Sequence, residues 1–144
     1  MEKKLLKLQS VFLCKSVYDI FNSLEYMDEA FLNKVADITT DEKAFVGYDE
    51  MPKEYERALS NLANYFVFRI ISPAESENEL RARFGVVGLS ISFIIKTVGK
   101  HLIENGKPTL DDISEIARLF SSEIEYSTEN MEILISEFDF LLNF

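Results

Sequence analysis

The longest apolar stretch of the chain lies between Arg83 and Gly99. At helical spacing its apolar side chains cover most of one helix surface, while Gly85, Ser92 and Gly99, spaced seven residues apart, fall on one line. Each glycine inside a helix costs about 1 kcal/mol relative to alanine, so this line predicts a groove in which another helix packs closely. We expect a central, buried helix over about residues 77–104, with the third or fifth helix in its groove.

Apolar residues recur at helical spacing on both sides of this stretch, and no strand alternation interrupts them. Residues 39–51 lose the periodicity and are predicted to form the longest loop. The end of the chain fits either a separate sixth helix from Ser127 or Thr128, or one bent helix over 110–142. The fold predicted is all-α, a single bundle of five or six helices. The first four are expected over about 2–24, 28–38, 52–71 and 77–104, and the fifth follows Thr109 with a buried series that reaches Ile124.

Several helix ends carry recognisable signals. Ser76 and Glu79 form an S-x-x-E pattern that predicts a capping box at the start of the central helix. Gly106 is expected to end that helix, and Thr109 to cap the next one. Because the link between them is short, these two helices are predicted to be antiparallel neighbours.

Composition supports one all-α domain over residues 1–144. Of these residues 47% are hydrophobic, and only 5 Gly and 3 Pro are available for the many turns of an all-β fold. The start of the chain lacks the apolar core of a secretory signal. The central run is interrupted at Lys96, short of the roughly 18 apolar residues of a membrane span. We therefore expect a soluble, cytoplasmic protein that does not enter a membrane.

Negative charge is concentrated in the last quarter of the chain. The net charge is −10, and residues 109–144 contribute −8 of it, with nine acids against Arg118 alone. This distribution argues against nucleic acid as a partner, because phosphate contacts require clustered Lys and Arg. An acidic surface can attract a lysine-bearing protein, or it can be the solvated exterior of the helices.

Residues capable of catalysis or metal binding are few. The single cysteine, Cys14, lies in an apolar helical context and is expected to pack as a small hydrophobic residue. His101 has no second histidine or cysteine at ligand spacing, so no metal site is predicted. Neighbouring acids such as Asp111 and Asp112 point in different directions on a helix and do not form a catalytic pair.

The segment 64–69, Asn-Tyr-Phe-Val-Phe-Arg, is a stronger candidate for binding. Tyr65 and Arg69 lie four residues apart on one helix face, where together they can hold a carboxylate, a phosphate or an aromatic ring. The alternative is that Tyr65 is an amphipathic core residue and Arg69 pairs with a nearby acid. Asn64, Tyr65, Arg69 and Glu125 are the candidate binding residues.

The order of segments resembles a known family. Residues 64–69, then a proline-containing break, the small-residue apolar helix, and Leu-Phe-Ser-Ser-Glu-Ile-Glu-Tyr-Ser at 119–127 are together similar to the C-terminal helical part of the flagellin lysine-N-methylases. These bacterial methyltransferases modify lysines of flagellin. The resemblance covers roughly residues 55–140, and it lacks the basic residue expected near Ser122 and the histidine expected near Tyr126.

The resemblance implies a non-catalytic role for this chain, either supporting the catalytic portion of the enzyme or binding its lysine-bearing protein substrate. Because the family's cysteine-rich N-terminal part is absent from these residues, the resemblance also implies that the chain would be the C-terminal part of a longer enzyme. The resemblance implies that this chain alone binds no cofactor and that S-adenosylmethionine is the methyl donor of the full-length enzyme. It also implies flagellin, or another lysine-bearing protein, as the partner. The rival interpretation is a ligand-sensing or dimerisation domain of a regulator, in which the apolar end of the chain, 138–144, is buried against the core or in a homodimer.

Overall fold

The computed structural model describes residues 15–40 and 51–142 of the chain. These residues form six helices and no strand, which confirms the predicted all-α bundle. Cys14 and most of the predicted loop 39–51 lie outside the described residues. The helices are α1 (Lys15–Asn22), α2 (Glu29–Thr40), α3 (Lys53–Phe66), α4 (Glu77–Asn105), α5 (Leu110–Phe120) and α6 (Thr128–Leu142).

Aromatic rings from five helices meet in the core. Phe93 of the central helix α4 contacts the rings of Phe21, Phe31 and Phe120, with centroids 5.2 to 5.3 Å apart. Phe66 of α3 meets Phe120 edge-on at 5.6 Å. Tilted and edge-on pairs of this kind contribute about 0.5 to 1.5 kcal/mol each beyond their burial. The many phenylalanines of this chain therefore hold the helices around α4.

The helix that packs against Gly85 is α6, where the sequence had led us to expect the third or fifth helix. A Cβ atom placed on Gly85 would lie 2.4 Å from Cδ1 of Phe138, whose side chain is fully buried. Glycine therefore makes room here for an aromatic ring, not for a helix backbone. The pattern of residues on α4 indicates a close approach but carries no information about which helix makes it.

Side chains cap four of the described helix starts, with Asp28 at α2, Ser76 at α4, Thr109 at α5 and Ser127 at α6, and one of these caps differs from the prediction. The Ser76 hydroxyl accepts a hydrogen bond from the Glu79 amide at 3.2 Å, but the Glu79 carboxylate reaches back to the amide of Glu75. The predicted capping box at α4 is therefore half formed. At α5 the box is complete, since Thr109 and Asp112 each bond the other's backbone amide, at 3.1 and 2.7 Å.

The link between α4 and α5 is held to the start of α3. The buried Tyr55 hydroxyl donates to the Pro108 carbonyl at 2.7 Å, and Lys107 pairs with Glu54. Gly106, which ends α4, has a φ of 80°, a conformation that other residues adopt at a cost. These contacts fix the antiparallel turn that the short link predicts.

A second set of hydrogen bonds joins the α1–α2 connection to the start of α6. The buried Asn130 side chain accepts from the Glu25 amide at 3.1 Å and donates to the carbonyls of Glu25 and Glu123, at 2.7 and 2.8 Å. The Glu123 carboxylate accepts from the Met27 amide at 2.8 Å. The side chains of Asn130 and Glu123 thus provide hydrogen-bond partners for backbone groups between α1 and α2, where no helix supplies them.

Among the described residues, α4 also has the length and composition of a membrane-spanning helix. Its most apolar 18-residue window has a mean hydropathy of 1.5. The interruption of the apolar run at Lys96 had predicted instead that this helix falls short of a membrane span. Half of that window is buried inside the bundle. A core helix reaches the same hydropathy because other helices surround it on several sides.

Candidate functional site

Two helices of the bundle end in π-helical turns. Helix α3 continues into a π-helical turn over Val67–Ile71, and α5 continues into another over Ser121–Glu125. Such turns are rare, add one residue to the helical repeat, and occur frequently at functional sites. The first turn overlaps segment 64–69, and the second lies within segment 119–127.

Four side chains connect these turns, and we refer to Tyr65, Arg69, Glu125 and Tyr126 as the carboxylate cluster. The Tyr65 hydroxyl donates to the two carboxylate oxygens of Glu125 at 2.8 and 3.1 Å, and Arg69 Nε donates to Oε1 at 3.0 Å. The hydroxyl oxygens of Tyr65 and Tyr126 lie 3.5 Å apart, and Arg69 Cζ lies 5.9 Å from the Tyr126 ring centroid. The cluster thus encloses one carboxylate between a cation and two tyrosines.

Burial and hydrogen bonding keep Tyr65 and Arg69 in fixed protonation states. Burial, followed by hydrogen bonds with Tyr126 and Glu125, raises the pKa of the Tyr65 hydroxyl well above its usual value. The hydrogen bond and charge of Glu125 raise the pKa of Arg69 further. Tyr65 is therefore a persistent donor and Arg69 a persistent cation at neutral pH.

The structure brings together three of the four residues that the sequence singled out for binding. Tyr65, Arg69 and Glu125 are in direct contact, whereas Asn64 is exposed on α3 and takes no part in the cluster. Arg69 pairs with an acid, as the alternative interpretation predicted, but Tyr65 is partly exposed and lies outside the core. Sequence reasoning missed Tyr126, whose direction depends on the π-helical turn before it.

A shallow depression of about 450 Å³ borders the cluster, between α3 and one face of α5. Its lining includes the hydroxyl-bearing side chains of Ser114, Ser121 and Ser122. Arg118 is engaged by Glu115 through two bonds of 2.8 and 2.7 Å. The surface is open, and hydroxyl groups lie among its apolar atoms. It is lined by Tyr65, Ser114, Ala117, Arg118, Ser121, Ser122 and Tyr126.

The predicted packing line on α4 bears no reactive group. Gly85 and Gly99 are buried and Ser92 is half-buried. Phe138 occupies the space beside Gly85. This line holds the bundle together and does not form a ligand groove at its Gly85 end.

Much of the acidic surface expected from the sequence has structural partners. Asp112 caps α5, Glu115 pairs with Arg118, and Glu123 and Glu125 are bonded as described above. His101 Nε2 lies 4.0 Å from Asp112 at the end of α4, a helix-terminal position. Asp111, Glu129, Glu132 and Glu137 are further acids exposed on α5 and α6.

Among residues 15–40 and 51–142, no group of three or more histidine, cysteine, aspartate or glutamate side chains is placed to hold a metal ion.

The chain was compared with known proteins. No protein-family model, curated protein or solved structure matches the chain. The carboxylate cluster and the depression beside it are therefore interpreted from their own chemistry.

Proposed function

We propose that this chain is the non-catalytic helical part of a flagellin-type lysine N-methylase and binds the lysine-bearing protein substrate. One observation carries the proposal. The two segments on which the resemblance rests, 64–69 and 119–127, are distant in sequence but joined in the fold by the bonds of Glu125 with Tyr65 and Arg69. This contact supports the proposal because it brings the two segments together at one place in the fold.

In this proposal the methyl transfer takes place elsewhere in a longer bacterial, cytoplasmic enzyme, where S-adenosylmethionine is bound. The described chain supplies a rigid bundle and an acidic exterior. Its exposed carboxylates on α5 and α6, including Glu129, Glu132 and Glu137, attract lysine side chains at distances of about one Debye length, roughly 10 Å in 0.1 M salt. That attraction steers a basic segment of the substrate toward the enzyme.

Titration of the chain with monomeric flagellin at about 0.05 and 0.2 M salt tests the proposal. We expect binding that weakens as salt increases. Replacing Glu129, Glu132 and Glu137 together by lysine should abolish it, while Glu56→Lys, an exposed charge reversal on α3, serves as control. Binding that is absent, or that ignores both salt and the triple reversal, would contradict the proposed function.

The rival class, a ligand-sensing or dimerisation domain, has support from one feature. The depression beside the carboxylate cluster is lined by several hydroxyl groups, which could bond a small ligand. Its other motivation, the apolar end 138–144, is only partly met by the chain's own core, because Phe138 is buried whereas Phe140 is 63% exposed. Sedimentation decides between the two: a stable dimer would favour the rival class, and a monomer would remove dimerisation from consideration.

A further inference from the structure

The Glu125 carboxylate pairs with Arg69 through a single hydrogen bond. Its side chain is only 4% exposed, yet Arg69 contacts it through Nε alone and is itself 48% exposed. A guanidinium that pairs with a carboxylate most strongly uses two parallel bonds. The observed pairing is single, so Arg69 is the more weakly held partner of a carboxylate that requires a positive charge.

Tyrosines complete the recognition elements for a cation at this position. Tyr65 donates to both oxygens of Glu125 and fixes the direction of the carboxylate. The Tyr126 ring is 65% exposed, and the guanidinium of Arg69 lies near the outer limit for an attractive interaction with it. A buried carboxylate beside an exposed aromatic ring favours ammonium and guanidinium groups over anions and neutral molecules.

The depression provides an approach to these groups. Tyr65 and Tyr126 form its border with the carboxylate cluster, and Ser121 and Ser122 lie in its lining. Hydroxyl groups can both donate to and accept from the main chain of a bound segment. A peptide lying in the depression would therefore place a side chain beside Tyr65 and Tyr126, the two tyrosines of the carboxylate cluster.

We propose that the carboxylate cluster is the site that receives a lysine side chain of the partner protein, with Arg69 as its displaceable internal occupant. This inference rests on the proposed function for the identity of the partner. The incoming ammonium takes the place of Arg69 against Glu125 and the Tyr126 ring, and the guanidinium turns outward into solvent. No bond is made or broken in this exchange; one cation replaces another.

Removal of Arg69, the internal competitor for Glu125, should increase the affinity of the site for a lysine side chain. Arg69→Ala should bind the probe Nα-acetyl-lysine methylamide on the order of tenfold more tightly than the unaltered chain, because the charge-assisted bond no longer has to be displaced. Binding is measured by NMR titration, with the Tyr126 ring signals as the local reporter. Arg81→Ala, which removes an exposed arginine paired with Glu77, is the matched control and should leave the affinity unchanged.

Glu125→Gln in the Arg69→Ala background should abolish the gain in affinity. An unchanged or weaker affinity in Arg69→Ala, or a gain that survives Glu125→Gln, would overturn the assignment. If Arg69→Ala does not fold, Arg69→Gln, which also removes the charge, is judged by the same criteria. Probe binding without any flagellin binding would contradict the proposed function alone, whereas salt-dependent flagellin binding with no probe response at Tyr126 would overturn this site alone.

Discussion

Substitution of Gly85 by alanine tests the packing of α6 against the central helix. On an open helix surface this change would stabilise the protein by about 1 kcal/mol, through helix propensity alone. Here the new Cβ would lie 2.4, 2.7 and 2.9 Å from three ring atoms of Phe138. Ordinary contact begins near 3.4 Å, so the ring or the helix must move by about 1 Å.

The ring of Phe138 cannot move cheaply, since it is fully buried in a close-packed core. Overpacking of this kind costs about 1 to 3 kcal/mol. Because the ring is tightly enclosed, we take the upper part of this range, about 2 to 3 kcal/mol. After the gain of about 1 kcal/mol in helix propensity is subtracted, Gly85→Ala should lower the free energy of unfolding by about 1 to 2 kcal/mol. The structure therefore predicts the opposite sign from helix propensity.

Equilibrium urea unfolding measures this difference, and a double-mutant cycle identifies its source. In a Phe138→Leu background the ring is gone, so Gly85→Ala should become neutral or stabilising, with a coupling energy of at least about 1 kcal/mol. Gly106→Ala is the control. It costs stability through its φ of 80°, but nothing lies within 4 Å of its Cβ, so it should show no coupling to Phe138. Stabilisation by Gly85→Ala in the unaltered chain would refute the packing described here.

Other predictions concern the polar contacts. Asn130→Ala should lower the free energy of unfolding by about 2 to 4 kcal/mol, because buried backbone groups lose their partners, whereas Asn64→Ala should change it by less than about 0.5 kcal/mol. Thr109→Ala should cost about 1 kcal/mol in the same urea assay and Thr109→Ser much less, since serine retains the cap. For Tyr26 and Tyr65 the pKa is raised in the folded state, so their stabilising contribution is complete below the unfolded pKa of about 10 and is lost as pH rises through the higher folded values. The free energy of unfolding should therefore decrease as the pH rises above about 10, and it should decrease less steeply for Tyr65→Phe. An equal slope in the variant and the unaltered chain would contradict this reasoning.

Local sequence determined the helices and most of their ends. Hydrophobic spacing placed the central helix at 77–104, and the structure has it at Glu77–Asn105. Thr109 and Gly106 act where local chemistry predicts, because a cap or a positive φ depends only on residues within a few positions. The choice between one bent helix and two was not local, and the π-helical turn at 121–125 followed by a break at 126–127 decides it.

The sequence could also point to Tyr65 and Arg69, since residues four apart on a helix share a face by geometry alone. Their partner Glu125 and the ring of Tyr126 lie more than fifty residues away, so only the packing of α3 against α5 brings them into contact. The same holds for Phe138 beside Gly85. Periodicity states which face of a helix is buried, but the neighbour on that face is decided by how all six helices fit together around α4, because close packing depends on the shapes of side chains distant in sequence.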